Sequence, residues 1–240
     1  MSGVSMGREA RGSEPARLPF DDRHSAGQLL GRRLRTLPWH DPVVLALPRG
    51  GVPVAEEVAR ALHAPMDLLL VRKIGAPDQP ELALAAVVEG RPPAVIVNES
   101  VQAMVQAPPG WLAEAVRRET AEIARRRQAY LHGRASLPLR GREVVMVDDG
   151  IATGTTVRAA LTGLRAQGVK RIVLAVPVAP SDTVAQLRSD VDDLVCLARP
   201  WPFEAIGLHY RDFHQLGDDE VTACLERAQA ELEEPPKPTL

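Results

Sequence analysis

Apolar residues recur along this chain in short unbroken runs, separated by longer stretches that carry a single apolar stripe. The runs lie at residues 43–47, 67–71, 82–88, 94–97, 143–147, 171–176 and 193–198. They do not alternate with polar residues, which predicts strands covered on both faces. Ala26, Leu30, Leu34 and Leu37 recur at helical spacing and predict a first helix with one buried face. Further helices are predicted over 52–62, 111–131, from the turn after 143–147 through 166, between the last two runs, and over 218–232. Strands alternating with helices predict an α/β domain with a doubly wound, mainly parallel sheet. A small second lobe is expected from the chain ends or from residues 82–106. Residues 1–18 and 233–240 lack periodicity and read as tails flanking one domain over 19–232.

Composition narrows the function. Twenty-nine basic side chains face 31 acidic ones, a net charge of −2, so a general nucleic-acid surface is not expected. Aromatic residues are 3% of the chain, too few for a base-stacking platform. Arg125, Arg126 and Arg127 sit on the 111–131 helix and read as a solvated face, with Glu114–Arg118 and Glu122–Arg126 as helical ion pairs. Cys196 and Cys224 lack a second ligand at metal spacing and read as buried thiols. No stretch approaches the ~20 apolar residues of a membrane span, and no leader is apparent, so the cytoplasm is the expected compartment.

The strongest chemical signal is VVMVDDGIATGTT, residues 144–156. An apolar strand delivers two carboxylates, Asp148 and Asp149, to its carboxyl end, where open α/β sheets bind ligands. Thr153, Gly154, Thr155 and Thr156 then open a helix. Unpaired N–H groups, the positive end of the helix dipole and threonine hydroxyls make a cradle for a phosphate. The two acids would repel that phosphate, so they need donors such as vicinal ribose hydroxyls or a hydrated magnesium ion. A sugar phosphate satisfies both halves. A second loop, LPRGGVPVA at 47–55, follows the first strand. Arg49 can make forked bonds to phosphate, and Gly50 and Gly51 permit an unusual backbone turn, although an ordinary strand-to-helix turn would read the same way. Arg72 and Lys73 end a buried run and point to a nearby anion. Residues 75–80 read as a mobile loop, with a solvated surface loop as the alternative.

The 144–156 segment resembles the phosphoribosyl-pyrophosphate (PRPP) motif of the type I phosphoribosyltransferases. The order of elements from Phe20 to about Val221 is similar to a branch of predicted phosphoribosyltransferases sometimes fused to a dienelactone-hydrolase-like domain. LPRGGVPVA, RKIGAP, PELA and PFEAIGLHYRDFHQ carry that likeness. No Gly-x-Ser-x-Gly elbow occurs in this chain. The resemblance implies the type I fold with a hood, for which residues 200–215 are the candidate. It implies that Asp148 and Asp149 bind ribose hydroxyls, that residues 152–156, beginning with Ala152, wrap the 5′-phosphate, and that the loop at Arg49, Gly50 and Gly51 receives pyrophosphate. Arg49, Arg72 and Lys73 are then the candidates for leaving-group stabilisation, with the loop beyond Arg72 and Lys73 closing over the ligand. Magnesium would be held by PRPP itself, with Asp148 and Asp149 nearby and no direct protein metal site.

One departure bears on the acceptor. Members that use 6-oxopurines place an acid where this chain has Ala152, which argues against hypoxanthine and guanine. Adenine-using members carry alanine there. Pro202, Phe203 and Tyr210 are the acceptor-binding candidates, the competing reading being that Phe203 and Tyr210 anchor the C-terminal segment. The expectation is a magnesium-dependent phosphoribosyltransferase acting on PRPP and a small acceptor. The alternative is a PRPP-binding sensor without turnover. Homodimers are common in such folds, which leaves that assembly open here.

Overall fold

The computed structural model describes residues 16–105 and 107–233, so of the tails expected over 1–18 and 233–240 only residues 16–18 and 233 are described, Ala16 donating its N–H to Leu197 O at 3.2 Å and Glu233 ending the last helix. The chain opens with α1 (Arg23–Leu34), β1 (Pro42–Ala46), α2 (Gly51–Leu62) and β2 (Met66–Leu68). Then follow β3 (Val71–Ala76), β4 (Gln79–Val88), β5 (Ala94–Val97), α3 (Glu99–Met104) and α4 (Trp111–Leu131). The C-terminal half holds β6 (Glu143–Val147), α5 (Thr155–Ala166), β7 (Arg171–Val178), α6 (Ser181–Leu187), β8 (Asp193–Ala198) and α7 (Asp218–Glu233).

Five strands form one parallel sheet in the order β2-β1-β6-β7-β8. Val44, Ala46, Val145, Val147, Val173 and Ala175 pack into a core with α1, α2, α4 and α7. Their neighbours Val43, Leu45, Val144, Met146, Ile172 and Leu174 pack on the other side with α5 and α6. Two apolar faces explain why the runs show no alternation. The expected doubly wound, mainly parallel α/β fold is what forms. From β1 the chain moves to one edge of the sheet, and from β6 to the other. The crevice between β1 and β6 is therefore a topological switch point, the place where such sheets hold ligands.

The second sheet is antiparallel, β3-β4-β5. It begins earlier than the expected lobe because the run at 67–71 is not one strand. β2 ends at Leu68, and the Leu69 N–H still reaches Ala46 O at 2.9 Å, whereas Leu70 O accepts from Glu89 N–H of the other sheet at 2.9 Å. These two residues hand the chain from one sheet to the next. Residues 75–80, read from sequence as a mobile loop, are instead a hairpin in which Ala76 faces Gln79. Its turn is Pro77-Asp78, with Asp78 at φ 61°, a left-handed conformation that aspartate tolerates.

α4 corrects the reading of its arginines. Arg125 and Arg126 pair with Glu122 at 2.8 and 2.7 Å, as surface residues do. Arg127 turns inward instead. It makes two bonds to Asp67, at 3.0 and 2.9 Å, and one of 2.7 Å to Glu89. Glu119, Ile123 and Arg127 stand four apart, so they share the face that α4 lays on the sheets. The expected Glu114–Arg118 pair does not form: Glu114 takes Arg117, and Arg118 takes Glu119.

α1, α2 and α7 meet over a charged seam. Buried Glu56 holds Arg227 at 2.7 and 2.8 Å, while Arg60 bridges Glu57 and Glu231. His24 Nδ1 lies 3.2 Å from Glu57 Oε1, and that hydrogen bond, with help from Glu56, raises the histidine pKa against the opposing effect of burial. A histidine raised on folding stabilises below its unfolded value near 6.5, and that stability is lost as pH rises through the folded value. We expect His24→Gln to narrow the difference in melting temperature between pH 6 and pH 8, by under ~1 kcal/mol because the imidazole is half-exposed. An unchanged difference would show that His24 is not the titrating group.

Candidate active site

The site is assembled from two loops that leave neighbouring strands. Strand β1 is followed by Leu47, whose N–H donates to Val147 O of β6 at 2.9 Å, so pairing between them extends up to the crevice. The chain then turns through the cis Pro48–Arg49 peptide into α2. A Cβ on Gly50 would collide with the Asp149 carboxylate, and one on Gly51 would stand 2.7 Å from Val147 O and 2.9 Å from Asp148 Cα. Only glycines let this loop lie directly on the acid pair. The Gly51 and Val52 N–H groups turn inward, onto the carbonyls of Leu47 and Arg49 at 3.0 and 3.1 Å. Gly51 thus serves by its lack of a side chain, not as an N–H donor to a ligand. Arg49 lies 3.6 Å from Asp218 in a partly exposed pair, weak enough to yield to a ligand anion.

Asp148 and Asp149 follow β6. Asp149 is buried, and its Oδ2 accepts from Arg23 Nε at 2.9 Å. Arg23 also donates to His214 O at 3.0 Å and stacks 3.9 Å from the centre of the Phe213 ring. Asp148 accepts the Asp149 N–H at 2.9 Å and has no ion pair among the described residues. Burial, followed by the charge of Asp149, holds the Asp148 carboxyl well above its usual range. Burial raises Asp149 too, only partly offset by Arg23. Two crowded carboxyls of this kind favour a partner that brings hydroxyl donors or a cation. Their oxygen-only donor set suits magnesium.

Beyond the acids, Gly150 packs against Ile206, and the Ile151 N–H donates to Val178 O at 3.0 Å. Thr183 Oγ1 pins the Ala152 carbonyl at 2.8 Å. Gly154 stands at φ 74° as the residue before α5 and supplies no side-chain cap. The first helical bond in this turn runs from Arg158 N–H to Gly154 O at 2.9 Å, so the preceding N–H groups at Thr155, Thr156 and Val157 have no partner in the helix. Thr153 and Thr155 are exposed, their hydroxyls 3.4 Å apart. A helix start with free N–H groups of this kind is suited to an anion.

Other predicted residues lie elsewhere. Arg72 Nε is bonded to Glu119 of α4 at 2.9 Å, and Glu119 is buried, so this arginine is committed to holding β3 on α4. Lys73 follows it on the strand, points to the opposite face and is exposed. The two cations therefore do not act as one anion clamp. Pro202 is exposed, and Phe203 is half-buried against His209 with ring centres 5.0 Å apart. Tyr210 is 5% exposed, and its hydroxyl donates to the Asp149 carbonyl. That makes Tyr210 an anchor beneath the acid pair and removes it as a reader of an acceptor edge. Arg23 went unread. The signal was present: extended back from Ala26, Leu30 and Leu34, the apolar stripe of α1 reaches an arginine.

Residues 24–212 match the family model described as phosphoribosyl transferase domain. Two curated proteins from Mycobacterium tuberculosis strains, each named "Putative phosphoribosyl transferase", are 46% identical over 215 residues, which is 90% of this chain and 48% of theirs. The chain thus spans about half the length of these relatives. A crystal structure of a protein from Thermus thermophilus is 41% identical and superposes with a TM-score of 0.76 over 87% of this chain and 98% of its own. Matched from α1 to beyond Tyr210, the chain belongs to the phosphoribosyl transferase domain family.

Proposed function

We propose that this protein transfers the 5-phosphoribosyl group of PRPP to a small flat nucleophile, with magnesium, releasing pyrophosphate. One observation carries the reading: the Gly50-Gly51 loop lies against Asp148 and Asp149 at the switch point, with the α5 turn next to it. Ribose hydroxyls would donate to the acids, the 5′-phosphate would sit on Thr153 to Thr156, and pyrophosphate would meet Arg49. The bound magnesium would neutralise pyrophosphate charge as the bond to the anomeric carbon breaks. The chain's own task is to align the reactants and hold the developing charge. Pro202 and Phe203 are the proposed acceptor contacts, and Lys73 remains a proposed cation for leaving-group stabilisation.

The test is pyrophosphate release from PRPP and magnesium, scanned over purines, pyrimidines and small amines. Release that depends on one acceptor class is expected, and adenine-like bases should outperform 6-oxopurines. A second reading is favoured by the commitment of Arg72 to Glu119, which removes one expected catalytic cation. On that reading the protein binds PRPP tightly and releases no pyrophosphate with any acceptor.

A further inference from the structure

We propose that His24, Glu56 and Cys224 form a zinc site at the junction of α1, α2 and α7, with the Arg227 guanidinium now holding the place of the ion. The site is separate from the acid pair, and it stands whatever ligand the acid pair takes.

The three side chains come from three helices, so no spacing in the sequence announces them. One ligand atom from each, a histidine nitrogen, a carboxylate oxygen and a sulfur, lies within 4.8 Å of the other two. Tetrahedral zinc, with bonds of about 2.0–2.3 Å, holds its ligands roughly 3.3–3.6 Å apart, so closure takes a shift on the order of 1 Å. Sulfur, nitrogen and oxygen together suit zinc and do not suit magnesium.

Glu56 is the residue that calls for a cation. It is 1% exposed, and the reaction proposed above gives it no part. Its Oε2 accepts from Arg227 Nη2 at 2.8 Å and lies 4.0 Å from His24 Nδ1. The same Nη2 is 3.2 Å from Cys224 Sγ. One cationic nitrogen therefore already stands between the oxygen and the sulfur, with the imidazole on the far side of that oxygen. Arg227 reaches in from solvent, its side chain about half exposed, and can swing back to water. Glu56 and Cys224 cannot follow it, being buried. Arg60 stays with Glu57 and Glu231, at 2.5 and 2.6 Å, and lies farther from Glu56, at 3.4 Å.

Binding replaces the guanidinium by the ion and forms a zinc–sulfur bond as the Cys224 thiol gives its proton to the solvent. Burial, then the hydrogen bond to Glu56, pushes that thiol up to about 12, and a coordinated metal overcomes this by stabilising the thiolate directly. The ion would tie together the helices that open at Arg23, at the Gly50-Gly51 loop and at Asp218, the partner of Arg49. It would thereby stiffen the frame around the acid pair.

The test titrates the chelator-treated full chain with cobalt(II), a coloured substitute for zinc. The wild type should bind one ion with a thiolate-to-metal charge-transfer band and the visible bands of a tetrahedral site, and zinc should bleach both. Cys224→Ser should lose the charge-transfer band, and Cys196→Ser should keep it. Arg227→Met removes the competing cation and should tighten binding roughly tenfold or more, the scale of one charged hydrogen bond. Zinc should raise the melting temperature of the wild type and leave that of Cys224→Ser in place. X-ray absorption at the zinc edge reads the site without any variant, so misfolding of Cys224→Ser leaves the test intact: it should show one sulfur at about 2.3 Å among nitrogen and oxygen ligands. Ions held by the acid pair carry no sulfur signature and do not imitate this result. The proposal is overturned if the wild type binds neither metal, if the bound ion shows no sulfur, if the signature follows Cys196, or if Arg227→Met binds no more tightly.

Discussion

Thr153→Val together with Thr155→Val should abolish measurable PRPP binding while leaving the fold intact. Both hydroxyls stand exposed at the mouth of the α5 turn, 3.4 Å apart, and neither caps the helix or bonds to another element. Valine keeps the shape and removes only the donors, so the cost to stability should be within ~0.5 kcal/mol. A hydrogen bond to a charged group contributes about 1.5–3 kcal/mol, so two amount to about 3–6 kcal/mol, or roughly two to four orders of magnitude in Kd. Calorimetric titration with magnesium and PRPP, beside a melting curve, measures both quantities. Unchanged affinity would remove the phosphate from this turn, and with it the orientation of the ribose toward the acids.

Arg127→Met should be the most destabilising single change among the surface-looking arginines. Its guanidinium lies between Asp67 and Glu89, all three largely buried, and it joins α4 to both sheets. Burial raises the Glu89 pKa, opposed chiefly by the charge of Arg127. Asp67 also accepts the N–H groups of Leu68 and Leu137, at 2.8 and 3.0 Å, and cannot turn to solvent without releasing them. Removing one partner of a buried ion pair costs about 3–5 kcal/mol, because the remaining charges stay buried without compensation. For a chain of this size that lowers the melting temperature by roughly 6–20 °C. Adding Glu89→Gln should recover part of the loss. A melting temperature indistinguishable from wild type would show that Arg127 does not face the sheets in solution.

These two variants differ in how far each residue could be read in advance. The phosphate turn is contiguous in sequence, and each of its requirements is local: a strand to deliver it, a glycine able to adopt φ 74°, and hydroxyls at a helix start. Nothing distant has to arrive for it to form. Arg127 looked like its neighbours Arg125 and Arg126. Helical periodicity says which residues share a face, but not which face the sheets will cover.

The sequence by itself determined the strands of the parallel sheet, to within a residue or two for most of them. It determined the acid pair at the end of β6 and the glycines at the start of α2, because burial on two faces and tight turns leave direct marks on residue type. Tertiary structure alone decided the partners. Arg23 reaches Asp149 across 126 positions, and Tyr210 reaches the same residue across 61. Arg72 goes to Glu119 instead of an anion, and the expected mobile loop becomes a hairpin because a second sheet forms around it. A charged side chain chooses among several opposite charges by which one the packed helices and sheets bring within reach and shield from water. That choice depends on how the whole chain packs, and no local pattern records it.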